Sequence, residues 1–107
     1  MKLRHATTHN TVEAIYLDGI IDPTKSKGKI LASWWHTPEK SSWAILHVEL
    51  RHKAQLEEVA IIEAEIPRSW LTRRKKGLWT CNRPVSINKI KKIYQATELA
   101  QSPIKGE

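Results

Sequence analysis

The sequence predicts one α+β domain, a small split β-sheet with two helices. Three observations predict it. Short apolar or alternating runs recur between turn signals, as strands do. Two segments carry helix-start chemistry followed by apolar residues at helical spacing. The 107 residues, 40% hydrophobic and 27% charged, suit one core and not two. The domain is placed at 1–100, with 101–107 as a frayed tail.

In chain order, residues 2–5 read as a strand entering an Ala6-Thr7-Thr8 turn. Asn10 then caps a helix with Glu13 as its capping-box partner. Val12, Ile15 and Tyr16 share one face of it, and Gly19 supplies the left-handed C-terminal cap. A polar loop over 22–29 leads to a strand over 30–35. Thr37-Pro38-Glu39 starts a second helix, with Pro38 at its first position. Trp43, Leu46, His47 and Leu50 repeat at helical spacing, although Ala44, Leu46, Val48 and Leu50 also alternate as in a strand. The cap and the helix formers at 54–57 favour a helix reaching Glu58.

The clearest strand covers 59–66, with Ala60, Ile62, Ala64 and Ile66 on one face and Glu63 and Glu65 on the other. Pro67 ends it. A basic segment over 68–76 surrounds Trp70 and Leu71, and Gly77 to Thr80 begins another strand. Pro84-Val85 opens a turn, and 90–96 is a strand or a helix.

The net charge of +7 and a pI near 9.8 name the sign of the partner. Nucleic acid fits, because each neutralised phosphate releases counterions. An anionic dinucleotide fits as well, and a solubilising surface charge is the plainest alternative. A single cysteine, Cys81, excludes an internal disulfide and suits a reducing compartment. No apolar run reaches the roughly 20 residues of a membrane span, and no apolar segment follows the N-terminal charges, so a cytoplasmic location is expected. His5, His9, His36, His47 and His52 form no ligand cluster, so no metal is expected. The four scattered glycines exclude a glycine-rich phosphate loop. Cys81 has no evident base beside it.

Five tryptophans stand against no phenylalanine. Such rings line core or stack a base or nicotinamide. Trp34 and Trp35 are adjacent in a strand, so they face opposite ways; one belongs to the core and the other is free for a site.

The motif order carries more. His5-Ala6-Thr7 closes the first strand, Ser33 lies in the second, and Lys76-Gly77-Leu78-Trp79-Thr80 precedes Arg83-Pro84-Val85. Over roughly residues 3 to 95 this resembles the catalytic lobe of the ADP-ribosyltransferase superfamily, and most of all the RNA 2'-phosphotransferases. The resemblance implies NAD as cofactor, bound by His5, Ala6, Thr7, Ser33, Trp34 and Trp35. His5 is expected to hydrogen-bond the ribose, and His5, Ser33 and Arg74 take the catalytic roles. Such a site holds NAD strained and polarised so that its glycosidic bond breaks, and positioning supplies much of the rate.

Three departures stand out. Ala6 replaces the family's glycine; Lys75, Lys76 and Gly77 occupy the place of a common glutamate; and the separate N-terminal lobe has no counterpart. For the nucleic-acid or phosphorylated acceptor the candidates are Lys27, Lys29, Arg68, Trp70, Arg73, Arg74, Lys75 and Lys76. The alternative is a basic nucleic-acid-binding module without catalysis, using Arg68 to Lys76 and Trp70. A small accessory or inhibitor protein is the third reading.

Overall fold

The computed structural model describes residues 1–26 and 29–100. Strand β1 (Lys2–Thr8) and strand β4 (Val59–Glu65) form its centre, paired antiparallel over seven registered residues from Lys2↔Glu65 to Thr8↔Val59. Around them lie β3 (Ser33–His36), β5 (Leu71–Lys75), β6 (Leu78–Cys81) and β8 (Ile90–Gln95) in the spatial order β5-β6-β3-β1-β4-β8. Every pairing is antiparallel. A second, two-stranded sheet joins β2 (Ile20–Ile21) to β7 (Val85–Ser86).

Both faces of the large sheet are covered, which is why β4 is buried from Val59 through Ala64. On one face Leu3, Trp35, Ile62, Ala64, Trp79 and Cys81 pack with Ile15 of helix α1 (His9–Asp18) and with Ile21 and Val85 of the small sheet. On the other, Val59 and Ile61 pack with Ile45 and Val48 of helix α2 (Ser41–His52) and with Ala96 of helix α3 (Ala96–Ala100). Each fully buried isoleucine contributes about 2–3 kcal/mol. Arg4 pins α2 to the sheet: its Nε donates to Glu63 Oε1 at 3.1 Å and its Nη1 to Ser41 Oγ at 3.0 Å, with the guanidinium 4.7 Å from the Tyr94 ring centre.

The α+β class is as expected, with three helices instead of two. Several boundaries move. The expected Ala6-Thr7-Thr8 turn is strand, because β4 continues to pair opposite it as far as Val59. The α1 cap is therefore Thr8, whose hydroxyl accepts from the Thr11 amide, and not Asn10. Gly19 does close α1 in the left-handed region, at φ 81°. The second strand begins at Ser33 and not at residue 30.

Helix α2 follows a 3₁₀ turn at Pro38–Lys40 and ends at His52, short of Glu58. Lys53 turns left-handed at φ 52°, and Glu58 Oε1 accepts from the Gln55 amide to cap a separate 3₁₀ turn. Glu63 is buried against Arg4 and does not face water, since α2 and α3 cover its side of the sheet. The basic segment divides into a 3₁₀ turn (Arg68–Trp70) and the edge strand β5. Pro84-Val85 leads into β7, and 90–96 is strand until Gln95. The assignment of Lys27 and the tail 101–107 lie outside the described residues.

Candidate active site at the split between β1 and β3

The two sides of β1 are built differently. Against β4 the register is continuous; against β3 it consists of one pair, Arg4↔His36. Both strands run on beyond that pair without registering, so the ladder of backbone pairs opens there. Continuing the antiparallel count from Arg4 and His36 sets His5 opposite Trp35, Ala6 opposite Trp34 and Thr7 opposite Ser33. The six residues assigned to NAD thus lie along the two strands that flank this break, with His5, Thr7, Ser33 and Trp35 turned to the α1 side of the sheet and Ala6 and Trp34 to the α2 side.

His5 bridges it. Its Nδ1 lies 2.7 Å from the Trp34 carbonyl oxygen, and its ring centre lies 5.3 Å from that of Trp35. A carbonyl only accepts, so Nδ1 carries the proton and neutral His5 keeps Nε2 as a lone-pair acceptor. Nε2 makes no hydrogen bond among the described residues, and the residue is only half-buried. Burial lowers the His5 pKa below the ordinary imidazole value, and the Trp34 carbonyl opposes that shift. Neutral His5 is the form that accepts a hydroxyl proton.

Most of the other residues assigned to NAD are buried and structural. Trp35 is 0% exposed, whereas Trp34 is 39% exposed, so the core and the free tryptophan are distinguished. The Trp35 indole donates to Ser33 Oγ at 2.8 Å, and Ser33 Oγ–H donates to the Cys81 carbonyl at 3.4 Å. Ser33 therefore positions Trp35 and has no hydroxyl proton left for a ligand; Thr7 is also buried. Ala6 stays half-buried on its lip. Arg74 reaches the site indirectly: its Nε donates to Thr80 Oγ1 at 2.9 Å, and Thr80 registers with Trp34.

At the root of the opening lies a residue not singled out from the sequence. His36 is 3% exposed and its Nε2 has no hydrogen-bond partner. Burial first, then the charges of His5 and Arg4, push its pKa down to about 3 against the pull of Glu39. It is a neutral imidazole at any physiological pH. A shallow depression beyond the end of β1 is lined by Thr8, His9, Asn10, Glu57 and Glu58, and its two carboxylates disfavour an anion. Burial raises the Cys81 thiol pKa, which argues against a nucleophilic role.

Two sets of cations stand out. Arg73, Arg74 and Lys75 lie on β5, and Lys91 and Lys92 on β8, the two outer strands of the sheet. Charge on an outer strand guards against edge-to-edge pairing. Lys76 follows in the exposed turn, and Lys29 is exposed ahead of β3. The second set is seated on tryptophan. Arg68 lies 5.3 Å from the Trp79 ring centre, and Arg83 and Lys89 lie 5.5 and 5.3 Å from that of Trp70. Arg83 and Lys89 were not identifiable from spacing, because no local pattern connects them to Trp70.

The chain matches no family model and no curated protein sequence. Its fold is similar to that of protein CC0527 from Caulobacter crescentus, known from an X-ray crystal structure. The TM-score is 0.61 at 9% identity, over 87% of this chain and 83% of that one. A likeness this distant concerns the fold alone. Among the described residues no His, Cys, Asp and Glu group could hold a metal ion, and no helix is long and apolar enough to cross a membrane.

Proposed function

We propose that this protein is an NAD-binding, ADP-ribosyltransferase-like domain whose acceptor is a nucleic acid or a phosphorylated end. The observation that carries the reading is the incomplete pairing of β1 with β3, beside which His5 of one strand meets Trp34 and Trp35 of the other. The residues fit the cofactor in part. Half-buried His5 keeps Nε2 as an acceptor for a ribose hydroxyl, whereas the half-open Trp34 ring stands on the other face of the sheet, where it could stack a separate part of the ligand. Ser33 and Trp35 act from behind as positioning residues. NAD, when bound, supplies an ADP-ribosyl group with nicotinamide as leaving group.

The chain's own contribution is positional. The Trp34 carbonyl fixes the His5 tautomer, and Arg74, held by Thr80, adds positive charge beside Trp34. A cytoplasmic setting belongs to the same proposal.

Thermal shift with NAD tests it. At 100 times the dissociation constant, a ligand stabilises by about 2.7 kcal/mol, a shift of several degrees in a domain of this size. The wild type should show that shift, while His5→Ala and Trp34→Ala should lose most of it. No shift up to millimolar NAD contradicts the transferase reading. A second reading, nucleic-acid binding without catalysis, is favoured by the tryptophan-seated cations and would survive that outcome.

A further inference from the structure

Nine of the chain's 18 lysines and arginines fall between residues 68 and 92, a stretch without one Asp or Glu. The fold uses this stretch in two ways. Part of it forms the edge strands. The remainder, the Arg68–Trp70 turn, the Arg83 linker, β7 and the 3₁₀ turn at Ile87–Lys89, contributes to the α1 side of the sheet, where Trp70 and Ile87 pack on that core. There Arg68, Arg83 and Lys89 gather on Trp70 and Trp79 from three separate segments.

No carboxylate among the described residues pairs with any of the three; the ion pairs recorded there are Met1–Glu65, Arg4–Glu63 and Lys25–Asp18. Cations brought together without counter-charge repel one another and gain from an external anion. A cation held over an indole has already lost some rotamer freedom, which lowers the entropy cost of binding.

The cluster also has a defined place. Trp70 immediately precedes Leu71, which registers with Cys81, which registers with Ser33 on the β3 lip. Arg83 lies two residues beyond Cys81. The Trp70–Arg83 pair thus lies one to two residues beyond the end of the row that reaches Ser33.

We propose that Arg68, Arg83 and Lys89, seated on Trp79 and Trp70, bind the phosphodiester backbone of a single-stranded nucleic acid. This deepens the reading above by assigning the acceptor surface, and it rests on that reading only in taking the acceptor to be a nucleic acid. A compact cluster drawn from crossing segments presents neither a helix for a duplex groove nor a long cationic row. It suits a flexible strand, whose unpaired bases can stack on a seated guanidinium.

The test is fluorescence anisotropy with a labelled single-stranded RNA of about 12 nucleotides, across a salt series, with the same sequence as duplex in a parallel arm. Two charge-matched triple variants are compared. R68A/R83A/K89A removes the cluster; K25A/R51A/K53A removes three exposed cations elsewhere. The first should weaken single-strand binding at least tenfold and flatten the log–log salt slope by about 2, at roughly 0.7 per lost phosphate contact. The second should change affinity by less than threefold.

Arg83→Met and Lys89→Met, which keep apolar contact with Trp70, should reproduce most of the loss with an unchanged melting temperature, separating lost charge from lost folding. Equal weakening by the two triples, or tighter binding of duplex than of single strand, overturns the proposal. NAD shift is read on the same variants. Its retention in R68A/R83A/K89A, with RNA binding lost, separates this surface from the opening; its absence in the wild type sinks the cofactor reading and leaves the RNA result to stand.

Discussion

The two flanks of β1 show what a strand can be used for. Toward β4 it registers residue by residue over its whole length, with Leu3 and Ala64 fully buried and Arg4 clasping Glu63. Toward β3 it registers once and then leaves its neighbour, and one imidazole reaches across the gap to a carbonyl. The first flank satisfies its backbone and buries apolar surface, so it stabilises. The second gives up ladder bonds and leaves a half-open histidine and tryptophan. Giving up pairing at one place is tolerable where the other flank over-determines the strand.

Truncation should separate the flanks most sharply. Ile62→Ala, on the β4 flank and fully buried, should cost about 2–5 kcal/mol by chemical denaturation. Trp34→Ala, on the opening, should cost under about 1.5 kcal/mol despite removing the larger side chain, because its ring is partly in water. Similar losses would mean that the opening is ordinary core.

Acid should act through the root of the opening. His36 and His5 both have folded pKa values below the ordinary 6.5, so the unfolded chain binds more protons as the pH falls. Their stabilising contribution is complete above pH 6.5 and declines below it, for His36 by up to about 1.4 kcal/mol per pH unit. Urea melts between pH 7 and 5, above the ordinary carboxylate range, should show that fall, and His36→Leu should remove most of it. A wild-type profile that is flat over this window contradicts a neutral, buried His36.

The smallest expected effect sharpens where β1 ends. Thr8→Ala should cost about 1 kcal/mol by removing the α1 cap, and Asn10→Ala no more than a few tenths. The reverse order would return Ala6-Thr7-Thr8 to a turn and shorten the lip.

What was legible follows the range of the signal. Gly19, the β4 pattern and the opposed Trp34 and Trp35 are local and were readable from a few neighbouring residues. The end of α2 was not, because Lys53 adopts a left-handed conformation that its side chain does not advertise and Ala54 to Glu57 are good helix formers. Asn10 looked a better cap than Thr8 until β4 fixed the strand's length. The opening itself is a failure of pairing between residues about 30 apart, and no local pattern encodes it. Arg83 and Lys89 were missed for the same reason: only the crossing segments bring them to Trp70.

The central claim is that the opening, and not another surface, receives NAD. Chemical-shift mapping of ¹⁵N-labelled protein against NAD tests it most directly. The largest perturbations should fall on the amides of residues 5–8 and 33–36, with the His5 side-chain nitrogens shifting alongside and β4 residues 60–64 nearly unmoved. Perturbations spread over the basic edges with those lips silent, or no perturbation at millimolar NAD, would contradict it.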